Sequence, residues 1–287
     1  MIQTIIQLYI IVKSSGYGLL YAVAKSLCTW NNGKSLEIVS TVYDFMMPLG
    51  LSLALCLAVV EIMDAITRSG TNNVTVEVVI MPLIKFGIAY LVISNGIEII
   101  STVLGGSNAF CDWVDAEIGS VTPIELSPES GIFNGLLTKI LFEYIPSFVS
   151  LLSQIIAALV IGVQLVTIRL EVLVRAMFFP LAVADVSSKG ASGSGMRYIK
   201  NLFGCIFLLG SILIVIKLVY MISADLMIDF GSTVWSSFSQ LTVEGLTEGG
   251  LKLVNMLYMV VFNGLIGPFA CISAISTVKS MIREVFS

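Results

Sequence analysis

The charged side chains best able to do chemistry lie in one stretch of the sequence, from Leu165 to Phe203. It reads LVTIRLEVLVRAMFFPLAVADVSSKGASGSGMRYIKNLF and joins two apolar runs. Its candidate functional residues are Arg169, Glu171, Arg175, Arg197 and Lys200. Glu171 precedes Arg175 by four residues, which is the favourable order for an ion pair on one helix face. Two interpretations follow: the charges anchor the end of a membrane helix, or they line the cytoplasmic mouth of an assembled channel.

A proline and a glycine-rich loop divide this stretch. Pro180 has no backbone N–H and predicts an elbow, after which the chain turns along the membrane surface. The loop KGASGSG contains Gly190, Gly193 and Gly195. It lacks the preceding strand and the terminal Gly-Lys-Ser/Thr of a phosphate-binding loop. Its composition instead favours a flexible hinge.

The residue types that most enzymes and metal sites need are missing or scattered. The chain has no histidine, which is the commonest metal ligand and the commonest general base near neutral pH. Its five cysteines occur singly, without a C-x-x-C pair, and no G-x-S-x-G motif is present. We therefore expect no enzyme, no metal site and no cofactor. Cys28 and Cys111 can form a disulfide only if both face an oxidising compartment.

Composition indicates a membrane protein. Hydrophobic residues make up 57% of the 287 residues and charged residues only 12%, whereas about a quarter of a soluble domain is charged. No segment is polar enough and long enough to build a soluble domain with its own core. The sequence predicts an all-α, polytopic helical membrane protein.

Five apolar runs are long enough to cross a hydrocarbon core of about 30 Å. They are Phe45 to Met63, Val78 to Leu104, Tyr144 to Ile168, Ile199 to Ser223 and Val254 to Val278. Together they form a transmembrane domain over residues 41–287. Residues 1–40 precede it as an interfacial or membrane segment, in which Ile2 to Leu27 is apolar but interrupted by polar residues. An amphipathic interfacial helix there gives five spans, and a membrane-crossing helix gives six.

The distribution of charge orients these spans. Basic residues fall on one side of the threading: Arg68, Arg169, Arg175, Lys189, Arg197, Lys200, Lys279 and Arg283. The acidic loops 105–143 and 224–252 fall on the other side. The positive-inside rule makes 169–198 a cytoplasmic elbow and loop and places the C-terminus in the cytoplasm, with the chain in the cytoplasmic membrane. Five spans put the N-terminal segment outside, and six put it inside.

A few charged residues lie in or near the predicted spans: Glu61, Asp64, Lys85, Glu98 and Lys217. All five lie towards span ends in this threading. We interpret them as side chains that extend to the lipid headgroups, and we expect none to be paired through sequence spacing. This interpretation weakens the case for a proton-coupled transporter.

The central stretch also resembles a known family. The sequence R-L-E-V-L-V-R-A-M-F-F-P-L-A-V-A-D-V, a Gly/Ser loop and then M-R-Y-I-K-N-L-F are similar to the TrbL family of membrane subunits of type IV secretion machines, especially conjugative ones. The similarity covers about residues 40–287 in topology, but only 169–203 in local sequence. It implies an outward N-terminal segment, five spans, a large outer loop after the second span and a cytoplasmic C-terminus.

The resemblance also implies a function and partners. Such a subunit forms a pore or scaffold, surrounded by membrane lipids and assembled as a homo-oligomeric ring with other secretion-channel subunits. Separate cytoplasmic ATPases supply the energy, and the translocated DNA-protein substrate makes transient contact. Two alternatives remain at this point: a secondary transporter or small-solute permease, and a membrane scaffold without a conduit.

Overall fold

The computed structural model describes residues 18–30, 33–69, 76–117, 145–239 and 265–286, and every regular element in these ranges is helical. The predicted all-α class is therefore confirmed for this part of the chain. Segments 118–143 and 240–252 of the predicted outer loops, the first 17 residues and the first half of the predicted fifth span lie outside the described residues.

Eight α-helices and one 3₁₀ turn make up the described part. They are α1 (Gly18–Cys28), α2 (Lys34–Ser69), α3 (Val76–Ser94), α4 (Gly96–Glu117), α5 (Ile145–Met177), α6 (Phe179–Lys189), the 3₁₀ turn Gly190–Ser192, α7 (Ser194–Ser239) and α8 (Gly267–Phe286).

Three of these helices are long and apolar enough to cross a membrane. The candidate spans are Lys34–Arg68, Leu152–Met177 and Ser194–Ser223. A fourth span results if Val79–Ser94 and Gly96–Glu117, which are bent by 60° against each other, cross the membrane as one unit. The described residues thus support a helical membrane protein with three or four spans, and the prediction of five spans with an amphipathic helix is not confirmed.

The predicted second span, Val78 to Leu104, is broken. A turn at Asn95 separates α3 from α4. Tyr43 explains why the break is stable, because its hydroxyl donates a 2.8 Å hydrogen bond to the carbonyl oxygen of Ile93. The same hydroxyl lies 1.8 Å from where a Cβ of Gly96 would be, so only glycine allows this approach.

Helices also extend into segments that we predicted as loops. Because α4 continues to Glu117 and α7 continues to Ser239, residues 105–117 and 224–239 of the predicted outer loops are helical. Asp112, Glu117 and Asp225, which are among the polar residues that suggested loops, are exposed on these helices. In the predicted cytoplasmic elbow and loop 169–198, where we expected a helix at Glu171 and Arg175, only Phe178 and Gly193 lie outside helices.

The chain packs as two compact units. The first contains residues 1–28, 111–165 and 211–278. Its described core is aliphatic, with one buried tyrosine, and includes Leu20, Ile161, Leu165, Ile212, Ile216 and Tyr220.

The second unit contains residues 29–110, 166–210 and 279–287. In it, α6 packs against α2 and α3, and five of its residues, including Phe179 and Pro180, are buried. Gly50 of α2 allows this contact, because a Cβ there would lie 2.8 Å from the Cβ of Pro180. The chain after Pro180 forms a helix that packs against two others, and its small residues Ala182 and Ala184 are buried there. That this segment turns along the membrane surface stays a prediction.

Candidate functional site

Glu171 is the centre of a polar cluster in the second unit. Its Oε1 accepts a 2.6 Å hydrogen bond from Nη2 of Arg175, one turn later on α5. Its Oε2 accepts a 3.1 Å hydrogen bond from Nη2 of Arg283 on α8. The predicted ion pair between Glu171 and Arg175 is therefore present, and a residue 112 positions away in the sequence joins it.

A third helix joins the cluster through Tyr198 of α7. The Tyr198 hydroxyl donates a 3.1 Å hydrogen bond to the backbone carbonyl of Arg175. The guanidinium of Arg175 also lies 6.0 Å from the centre of the Tyr198 ring, within the range of a cation–π contact. The cluster of Glu171, Arg175, Tyr198 and Arg283, which we call the inner cluster, thus connects α5, α7 and α8.

Arg169, Arg197 and Lys200 lie outside the inner cluster. The guanidinium of Arg169 lies 4.6 Å from the ring centre of the buried Trp30. The backbone of Trp30 is in turn held by Asn108, which accepts from its N–H at 2.6 Å and donates to its carbonyl at 2.8 Å. Arg197 and Lys200 are exposed on α7. The structure therefore brings together only two of the five charged residues that we predicted.

The elbow has the geometry of a short helix break. Helix α5 ends at Met177, and Pro180 lies in the first turn of α6, where its missing N–H breaks no helical hydrogen bond. After α6, Gly190 has a φ of 64°, the only positive φ among the described residues. A backbone hydrogen bond of 3.3 Å from Gly193 to the Gly190 carbonyl closes the turn.

The other two loop glycines lie where a larger residue would not fit. A Cβ on Gly195 would lie 2.1 Å from the carbonyl oxygen of Ala182, and one on Gly193 would lie 2.9 Å from Cβ of Lys189. Both glycines are buried. In the structure this turn is closely packed, and side chains at these two positions would clash. The flexible hinge that composition favours stays a prediction.

Asp185 secures this turn by capping α7. Its Oδ2 accepts hydrogen bonds from the backbone N–H of Gly195 at 2.7 Å and from the hydroxyl of Ser194 at 2.8 Å. Its Oδ1 lies 2.8 Å from Nζ of Lys189. The hydrogen bond from Lys189, followed by those from Gly195 and Ser194, lowers the pKa of Asp185 to about 2. The carboxylate is thus held ionised at the N-terminus of α7, where negative charge is favoured.

A second polar cluster lies in the first unit around Lys217. This lysine belongs to the apolar span of α7, and its side chain is 4% exposed. Its Nζ donates a 2.8 Å hydrogen bond to the carbonyl of Val114 and lies 3.5 Å from Oδ1 of Asp115. Both residues are in the last turn of α4, whose terminal carbonyls lack helical donors and carry partial negative charge.

Helix α1 contributes the rest of this cluster through Tyr21 and Lys25. The Tyr21 hydroxyl donates a 2.8 Å hydrogen bond to Oδ1 of Asp115, and Lys25 forms an ion pair with Oδ2. Burial and then the hydrogen bond to Asp115 raise the pKa of Tyr21, and the same carboxylate raises the pKa of Lys25. We call Tyr21, Lys25, Asp115 and Lys217 the α1 cluster.

Our sequence interpretation missed the α1 cluster because it treated Lys217 as extending to the headgroups. The signal was nevertheless present, since a lone lysine within an apolar span usually faces the protein interior. We also expected none of the span charges to be paired through sequence spacing. This was wrong for Asp64, because Arg68 lies 2.7 Å from its carboxylate at an i,i+4 spacing. Lys85 forms an ion pair with Glu61 across α2 and α3, which sequence spacing does not show.

Chemically, these clusters can hold helices together and present charge within an apolar protein. Among the described residues, no three histidine, cysteine or acidic side chains are grouped as a metal ion would require. Cys28 and Cys111 are both buried and are not joined by a disulfide in the structure. No family model, curated protein or solved structure matches the chain.

Proposed function

We propose that this chain is a channel or scaffold subunit of a type IV secretion or conjugation machine in the cytoplasmic membrane. It assembles with further copies of itself and with other channel subunits, and it helps a DNA-protein or protein substrate cross the membrane. Energy comes from separate cytoplasmic ATPases. The C-terminus lies in the cytoplasm under this proposal.

The observation that carries the proposal is the local sequence of residues 169–203 and its place in the inner cluster. This stretch carries the resemblance to the TrbL family, and it includes Glu171, Arg175 and Tyr198. These residues join α5, α7 and the C-terminal helix α8. The resemblance thus falls on a junction of three helices, where sequence is constrained by packing and by charge pairing.

The surface of α2 and α3 supports an assembly. In the most apolar 18-residue stretch of α2 only 17% is buried, whereas 61% of the corresponding stretch of α7 is buried. Glu61 and Lys85 lie on these two helices, with side chains 31% and 41% exposed. The two side chains form an ion pair that is only partly covered. A neighbouring subunit over this surface would shield the pair from lipid.

Charge reversal at Arg175 tests the proposal in a strain that carries the chain together with its transfer genes. Arg175→Glu places two carboxylates together at the inner cluster, and we expect substrate transfer to fall by about tenfold or more, equivalent to about 1.4 kcal/mol. The amount of protein in the membrane should fall much less. Arg197→Glu, which reverses an exposed charge outside the cluster, is the matched control.

Three outcomes distinguish a role in translocation from a structural role. A loss of transfer with normal membrane levels supports a role in translocation. Equal losses of transfer and of membrane protein would reduce the inner cluster to a folding or topology anchor. Normal transfer after deletion of the whole chain would refute the secretion function.

A secondary transporter is the second candidate function, and two observations favour it. Lys217 is a buried charge within an apolar span, and such residues often mark ion or substrate pathways. The break between α3 and α4 at Asn95 also resembles the discontinuous helices that form transporter binding sites. Saturable solute uptake by the purified protein alone in liposomes would support this function, whereas a secretion subunit should show none.

A further inference from the structure

Helices α1 and α4 run antiparallel along their contact, and successive residue pairs define how they align. Tyr21 and Lys25 both contact Asp115. Two residues after the end of α1, the backbone of Trp30 pairs with the side chain of Asn108, which precedes Asp115 on α4. As the residue number rises on one segment, it falls on the other.

This alignment brings Cys28 opposite Cys111. Cys28 is three residues after Lys25 and seven after Tyr21, so it lies on the α1 face that contacts Asp115. Cys111 is four residues before Asp115, so it lies on the same face of α4. Both side chains are fully buried. Smaller contributions from both thiols add to the effects of burial and Asp115 that raise the pKa of Tyr21, so both lie near its hydroxyl.

We propose that Cys28 and Cys111 form a dithiol site, which a disulfide oxidant converts into a covalent link between α1 and α4. The remaining cysteines fit this role less well. Cys56 on α2 and Cys205 on α7 are in the other compact unit, and Cys271 lies on α8. The dithiol site does not depend on the proposed secretion function, because it needs only the contact between α1 and α4.

The reaction is an ordinary thiol–disulfide exchange. One cysteine thiolate attacks a sulfur of a small disulfide R–S–S–R, forms a mixed disulfide and releases one R–S⁻. The second cysteine thiolate then attacks the protein sulfur of the mixed disulfide and releases the second R–S⁻. Two protein thiols are oxidised to one disulfide, and the small disulfide is reduced to two thiols. Because both thiols are buried, α1 must open locally to admit the oxidant.

Peptide mapping of the full-length protein in its membrane tests the site. The membranes are treated with oxidised glutathione, the remaining thiols are alkylated, and the protein is digested with trypsin. We expect the peptide Ser26–Lys34, which contains Cys28, to be linked to the peptide Phe86–Lys139, which contains Cys111. Two of the five thiols should be lost, and the link should be absent from Cys28→Ser and Cys111→Ser but present in Cys56→Ser.

A second experiment tests whether the oxidant can reach the buried thiols. Lys25→Ala takes away one partner of Asp115, so α1 should open more often and the link should form several-fold faster than in the wild type. Glutathione attached to the new thiol of Glu37→Cys, an exposed position outside the predicted span, reports that the oxidant has reached the protein. If that thiol reacts and neither the wild type nor Lys25→Ala forms the Cys28 to Cys111 link, or if Cys28 links to another native cysteine instead, the proposal is overturned.

Discussion

Lys217 donates a 2.8 Å hydrogen bond to the carbonyl oxygen of Val114, so a lysine from the apolar span of α7 closes the C-terminal end of α4. The ammonium group meets carbonyls that have no helical donor, and it lies close to the carboxylate of Asp115. These oxygen atoms therefore offset the cost of burying the Lys217 ammonium group in an apolar span.

Replacing Lys217 by methionine should destabilise the protein substantially. The variant keeps an apolar side chain of similar length but leaves buried carbonyls without a donor and weakens the neutralisation of Asp115. Leaving a buried acceptor without its donor costs about 1–3 kcal/mol, and we expect the unfolding midpoint in detergent to fall accordingly. Lys200→Met, at an exposed position of the same helix, should change the midpoint little. Equal effects of the two substitutions would contradict the capping role.

Two glycine-to-alanine substitutions should have opposite effects. In Gly195→Ala the new Cβ would lie 2.1 Å from the Ala182 carbonyl oxygen, so α6 and α7 must move apart. We expect a loss of about 1–3 kcal/mol in the free energy of unfolding. In Gly87→Ala nothing lies within 4 Å of the new Cβ, and a helix interior gains about 0.5–1 kcal/mol from alanine. Denaturant unfolding of both variants measures the contrast, and a neutral Gly195→Ala would restore the flexible hinge as the better description.

The cap by Asp185 should make stability depend on pH in the acid range. Its folded pKa of about 2 lies below the ordinary value of 3.8, so its contribution is fully present above the ordinary value and is lost as the pH falls through about 2. We expect Asp185→Asn to be less stable than the wild type at pH 7, and we expect the difference to shrink towards pH 2. Unfolding midpoints across this range measure it.

A control separates this effect from the general loss of a carboxylate. Asp44→Asn removes an exposed carboxylate from α2. It should leave the midpoint close to that of the wild type at pH 7. A constant difference between Asp185→Asn and the wild type from pH 7 to pH 2 would show that the Asp185 carboxylate does not act through its charge.

The contact between Glu171 and Arg283 should couple α5 to the C-terminal helix only modestly. The Arg283 side chain is 54% exposed, and exposed ion pairs contribute about 0.2–1 kcal/mol. A double-mutant cycle of Glu171→Gln and Arg283→Gln, measured by denaturant unfolding, should give a coupling energy in this range. It should decrease at high salt. A cycle of Glu171→Gln with Lys279→Gln, which removes another basic side chain of α8, should give no coupling.

The sequence by itself determined the helical class, the approximate position of the long apolar helices and the ion pair between Glu171 and Arg175. Apolar runs must form helices in a membrane, because every backbone hydrogen bond has to be satisfied within the segment. Glu171 and Arg175 are four residues apart, so the helix alone brings them together. The position of the helix break before Pro180 also follows from local chemistry.

Only the tertiary structure decided where the remaining charges go. Lys217 donates a hydrogen bond to Val114, more than a hundred residues earlier in the chain. Arg283 pairs with Glu171, and Arg169 lies against Trp30 rather than with Arg175. Such pairs depend on which helix faces are in contact, and periodicity along one helix carries no information about its neighbours. Contacts with another helix also explain the break at Asn95 and the glycine at position 195. The hydroxyl of Tyr43 lies at the break, and the carbonyl of Ala182 leaves no room for a side chain at position 195.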